Sequence, residues 1–117
     1  MTPGELSERT MLFALRIMRM AARLPGTAPG RNVASQVTRS ACSVAANYRA
    51  AQRARSRADF SNKVGIVLEE VDEVCFWLEL IVRAELLPGP RVAELRREAD
   101  ELIRIFAAMR RTMRSGR

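Results

Sequence analysis

The 117-residue chain predicts an all-α fold of four helices within a single domain, 1–117. Three observations carry that expectation. Aromatic residues make up 5% of the chain while Ala, Leu, Arg and Glu abound, a composition that favours helices over strands. Apolar residues recur at alternating steps of three and four along separate stretches, the repeat of a buried helix face. Breakers separate those stretches: PGTAPG at 25–30, a Ser56-x-x-Asp59 cap, and LPGP at 87–90. A domain of this length can bury roughly two-thirds of the surface its unfolded chain exposes, enough for a core without staples.

The first helix is expected over about 5–24, with Met11, Leu15, Met18 and Ala22 as its buried stripe and Arg9, Arg16 and Arg23 on a wet, positive face. Its MLFALRIMRMAARL stretch has a superficial likeness to a secretory or membrane-surface segment. Arg16, Arg19 and Arg23 interrupt the apolar run too often for that, and no run approaches the ~20 residues of a spanning helix. The second helix is expected over about 32–55, capped by Asn32, with Val33, Val37, Ala41, Val44 and Tyr48 on one stripe. Its SACSVAAN segment at 40–47 is small enough for close backbone approach, and Asn47 within it is read first as an interhelical hydrogen bond that fixes register and second as a ligand contact.

The third helix, about 57–86, carries Phe60, Val64, Val67, Val71, Val74, Leu78 and Ile81 as a seam, with Phe76, Trp77 and Leu80 adding apolar surface elsewhere. A helix apolar over more than half its circumference needs cover on two sides, so self-association is expected. The fourth helix, about 91–112, repeats the pattern with Val92, Leu95, Ala99, Leu102, Phe106, Met109 and Met113. Its acids lie early and its Arg110, Arg111 and Arg114 late, the order that complements the helix dipole.

Charge divides the chain. Residues 1–58 hold ten arginines and two acids, for +8, whereas residues 59–117 hold ten basic and eleven acidic residues, for −1. A field of that sign draws polyanions: nucleic acid, an anionic membrane surface, or an acidic face on another copy. Cys42 and Cys75, far apart and set in apolar helical sequence, suggest no disulfide and are read as small buried hydrophobes of a reducing cytosol. The chain has no histidine, which removes the commonest general base and zinc ligand. The acids Glu69, Glu70, Asp72 and Glu73 are read as a solvated or salt-bridged face, with Glu70 turned away from the other three. No enzyme activity, cofactor or metal is expected.

What points outward is RAAQRARSR, holding Arg49, Arg53, Arg55 and Arg57. Arginine forks phosphate oxygens, and each phosphate neutralised releases counterions. Two readings stand side by side: these arginines grip an external polyanion, with Arg39 and the first helix as support, or they pair with the acids of the third helix.

Residues 36–60 also resemble a known pattern. Gln36, Arg39, Ala41, Ser43, Val44, Ala46 and Asn47, then Arg55-Ser56 and Asp59-Phe60, resemble the bacterial family first noticed as proteins encoded in intervening sequences of large-subunit ribosomal RNA genes. Leu68-Glu69-Glu70 and Trp77-Leu78-Glu79 extend the likeness. The chain departs from that pattern at Ala45, where members commonly carry Pro, and at Ala50-Ala51, where they carry Glu-Gly. The resemblance implies an antiparallel up-and-down four-helix bundle assembling as a homopentamer. It is also similar to the accessory variability protein of diversity-generating retroelements, a basic pentamer that works with a reverse transcriptase and binds nucleic acid. Two functions follow as expectations: a non-enzymatic oligomer binding RNA or DNA through phosphates with low sequence specificity, or a scaffold docking an acidic protein such as a polymerase.

Overall fold

The computed structural model describes residues 1–115, and among them the regular structure is four α-helices. They are α1 (Pro3–Ala21), α2 (Ala28–Ala51), α3 (Arg57–Arg83) and α4 (Gly89–Arg114). Consecutive helices pack against each other and α1 closes the ring on α4, giving an up-down-up-down bundle about 47 Å long and 20 Å wide. One end carries the α1–α2 and α3–α4 turns. The other carries the start of α1, the α2–α3 turn and the last turn of α4.

Local chemistry sets the boundaries. Thr2 caps α1 through the Glu5 amide at 3.0 Å, and the Glu5 carboxylate returns to the Thr2 amide at 3.0 Å, a reciprocal capping box. Thr27, not Asn32, caps α2. Pro29 and Pro90 lie inside the first turns of α2 and α4, where an amide would have no helical partner, so both helices start earlier than a breaker rule expects. Gly30 is required there, since a Cβ would lie 2.0 Å from the Pro25 carbonyl oxygen. Helix α2 stops at Ala51, four residues short of the expected end, because Arg53 and Ala54 turn their amides to the carbonyls three residues back. Ser56 caps α3 from the Asp59 amide at 3.0 Å, as its spacing predicts.

At the end of α3, Leu86 donates to Ile81 at 2.9 Å and Glu85 to Val82 at 3.1 Å, a Schellman closure with Glu85 at φ 56°. A left-handed non-glycine residue is strained. Glu85→Gly is therefore expected to stabilise the protein by about 1 kcal/mol, read as a higher midpoint of chemical denaturation.

The core confirms three of the four predicted seams. Val33, Val37, Ala41, Val44 and Tyr48 of α2, Val64 to Ile81 of the α3 seam, and Val92 to Phe106 of the α4 seam are buried, while Phe60, Met109 and Met113 are half-buried at one end. Tyr48 meets Phe106 edge-on with ring centroids 5.2 Å apart. Thr10 and Ser40 are buried with their hydroxyls bonded back to Ser7 and Gln36 carbonyls, which meets the cost of burying them.

Helix α1 is rotated from the expected setting. Leu6, Phe13, Ala14, Ile17, Met20 and Ala21 face the core, whereas Met11, Leu15 and Met18 are 38–46% exposed and Ala22 is exposed too. Leu12 lies beside them at 51%. Both stripes obey helical spacing, and packing chose the other one. Two further expectations change. Cys42 is exposed, and Asn47 donates within its own helix to the Ser43 carbonyl and hydroxyl, each at 2.9 Å, so it holds α2 locally and bridges no helices.

A candidate nucleic-acid interface

Among the described residues, Arg9, Arg16, Arg39 and Arg83 form ion pairs with acids. Arg9 forks Glu98 with two bonds of 2.7 Å and reaches Glu101 at 3.1 Å, joining α1 to α4. These carboxylates raise the Arg9 pKa further above its ordinary value. Arg16 reaches Glu94 at 3.6 Å. The stripe expected to be wet thus forms much of the α1–α4 seam. Because Arg9 and Glu98 are only 26% and 17% exposed, removing one leaves the other poorly solvated. Arg9→Met, which keeps the aliphatic stem, is expected to lower unfolding free energy by about 1–2 kcal/mol, with the deficit shrinking in high salt.

Arg39 lies midway along α2 and bonds Glu73 at 2.8 Å and Glu70 at 3.2 Å on α3. The Arg39 guanidinium holds the Glu73 carboxyl below its ordinary range, with Trp77 Nε1 adding a bond at 3.4 Å. Glu70 is therefore turned toward Arg39, not away, and Glu69 and Asp72 are the solvated pair. For Arg39 the salt-bridge reading describes the geometry, and a phosphate there would compete with two carboxylates.

The α2–α3 turn differs. Arg49 is exposed on the last turns of α2, and Arg53 and Arg55 are exposed in the connection. None of these three guanidiniums pairs with an acid among the described residues. Arg57, at the first position of α3, is exposed and donates to the Met113 carbonyl at 3.4 Å, which ties the turn to the end of α4.

The turn is held rigidly. Asp59 accepts from the Arg55 amide at 3.1 Å and from Lys63 at 2.6 Å. Those two bonds, Lys63 first, hold the Asp59 carboxyl below the usual carboxylate range. At neutral pH its charge is thus held mainly by Lys63 and the backbone, with the Arg55 guanidinium adding a weaker attraction across the turn.

The structure gathers Arg53, Arg55 and Arg57 at one end of the bundle with Arg49 next to them. Arg39, ten residues before Arg49, lies about 15 Å back along α2. A second cluster escaped sequence reasoning. At the opposite end Arg16, Arg19 and Arg23 of α1 converge with Arg91 of α4 around a concavity of about 280 Å³. Arg19 and Arg23 are one turn apart in sequence, but only the α1–α4 packing adds Arg91.

Elsewhere the chemistry is sparse. Among the described residues no three His, Cys, Asp or Glu side chains come together as metal ligands. Burial pushes the Cys75 thiol up to about 11, with Asp100 and Asp72 adding to the rise, so it stays protonated. No described helix is long and apolar enough to cross a membrane.

An antiparallel four-helix bundle with an arginine-bearing turn at one end is the class these features define. The chain matches the model of the 23S rRNA-intervening sequence protein family over residues 5–108 and belongs to that family. A crystal structure of a protein with unknown function from the S23 ribosomal protein family of Bacteroides thetaiotaomicron is similar throughout. It has a TM-score of 0.87 and 30% identity, covering 95% of this chain and 99% of that one. No curated protein matches the chain.

Proposed function

We propose that the protein is a non-enzymatic, self-associating helical bundle that binds RNA or DNA through phosphate contacts with little sequence specificity. One observation carries the reading. Arg49, Arg53 and Arg55 are exposed close together at one turn, and none of them has an acid within ion-pair distance among the described residues. A guanidinium left free of carboxylates keeps its fork for phosphate. Membership of a family linked to a ribosomal RNA intervening sequence supports RNA as the polyanion.

Self-association, with a homopentamer as the assembly the family resemblance implies, is supported by the apolar stripe of α1. Met11, Leu12, Leu15 and Met18 stand in water in the single chain, as do Ile66 and Phe76 of α3, each at least 38% exposed. A contiguous stripe of that kind marks an interaction surface.

Binding to short labelled RNA and DNA strands across a range of salt tests the reading. With the three free arginines engaged, log affinity against log salt falls with a slope of roughly −2 on single strands. Salt-independent binding, or none, removes it. A partner that survives nuclease treatment in a pull-down would favour the scaffold reading instead.

A further inference from the structure

Beside the arginine turn lies an open groove of about 920 Å³, where the end of α2 and the start of α3 meet Pro3 and the last turns of α4. That volume is in the upper range of small-ligand sites. Its walls are apolar, chiefly Phe60, Ile105, Met109 and Met113, and Arg55 and Gln52 stand among its lining residues. Tyr48 also lines it, 2% exposed, and its hydroxyl bonds to no described residue. Among the described residues the wholly enclosed side-chain polar atom lacking a partner is Arg110 Nε. The Tyr48 hydroxyl is not so enclosed, and the groove is a cavity that Tyr48 lines. Burial raises the Tyr48 pKa, so the group stays a neutral donor and acceptor.

We infer that this groove holds one unpaired nucleobase of a single strand whose flanking phosphates lie on Arg53 and Arg55. The inference rests on the phosphate-binding reading of the same turn. A base has flat apolar faces, a polar edge and an anion on each side, and the site complements each part. Phe60 and the polarizable Met109 and Met113 offer surfaces for the faces. The Tyr48 hydroxyl and the exposed Gln52 amide offer bonds to the edge, in a pattern that suits any base. Arg55, with Arg53 two residues before it, offers the charge. A duplex keeps its bases stacked and paired, so the groove selects single-stranded or bulged nucleic acid without reading sequence. An amphiphilic acid such as decanoate would use the walls and one arginine but leave the spacing of exposed arginines from Arg49 to Arg55 without a purpose.

The test compares three ligands at one salt concentration with the full chain: a short single strand, the same strand with abasic sugars throughout, and a duplex of equal length. The base-bearing strand is expected to bind roughly tenfold more tightly than the abasic one. Tyr48→Phe keeps the ring against Phe106 and removes only the hydroxyl. It should weaken the base-bearing strand several-fold and leave the abasic strand unchanged, and Phe60→Ala should close most of the gap. Equal, salt-sensitive binding of base-bearing and abasic strands would overturn the base site while the phosphate reading stands. Failure of all three ligands to bind would overturn both. A thermal shift by decanoate, with no discrimination between the strands, would assign the groove to an amphiphile and overturn the inference.

Discussion

Reversing Arg49, Arg53 and Arg55 to glutamate will abolish retention on immobilised nucleic acid at salt concentrations where the natural chain is held. Each change deletes a phosphate fork and adds a repelled carboxylate. The salt slope on single strands should fall by roughly two, the signature of lost counterion release. Folding and assembly should survive, because none of the three guanidiniums is paired with an acid among the described residues. Arg57 is left in place because it bonds the Met113 carbonyl and its loss would loosen the end of α4. Arg39→Glu supplies the contrast. It would set a third carboxylate against Glu70 and Glu73, so it should lower the thermal midpoint while changing nucleic-acid binding much less. If the triple variant binds unchanged, the turn is not the interface. If it falls apart, its arginines serve contacts between copies.

If the protein self-associates as proposed, changing Leu15 and Met18 to glutamate is expected to leave it monomeric. Both side chains lie on the outer face of α1, 38% and 46% exposed, and add little to the intramolecular core. Polar substitutions there should leave helix content intact. In an assembly the same two carboxylates would be buried on an apolar surface without partners, a cost of several kcal/mol per charge. Light scattering should then return the mass of one chain, 13.1 kDa, where the natural protein gives a multiple of it. A natural protein already at 13.1 kDa would sink the self-association reading. A variant that stays assembled would move the interface elsewhere, with Ile66 and Phe76 of α3 the next candidates.

Much of the architecture could be read from residues alone. The α2 and α4 seams match the buried residues because each helix carries one dominant apolar stripe, and in α3 the valine-rich run at steps of three and four is the one that packs inward. The Ser56–Asp59 cap was legible for a similar reason, being a contact between residues three apart. Helix starts were misplaced at Pro29 and Pro90 because proline in a first turn and proline as a breaker look alike until the cap is seen. Helix α1 misled because it has two stripes of helical period. Leu6, Phe13, Ile17 and Met20 compete with Met11, Leu15 and Met18, and nothing within α1 says which faces neighbours.

The candidate site was legible in part. The arginine turn was visible as a charge run, but the groove beside it joins residues 3, 48 and 109, which no local pattern connects. By itself the sequence determined the four helices, three of their buried faces and the sign of the charge, because these depend on neighbours within a turn or two. The tertiary structure alone decided which arginines are neutralised across helices. Arg39 meets Glu70 and Glu73 across 31 and 34 residues, and Arg9 meets Glu98 across 89. Such pairs depend on the rotation and register of one helix against another, which packing of the whole core sets. That same packing leaves Arg49, Arg53 and Arg55 without an ion pair to the Glu70, Glu73, Glu98 and Glu101 carboxylates that hold Arg39 and Arg9.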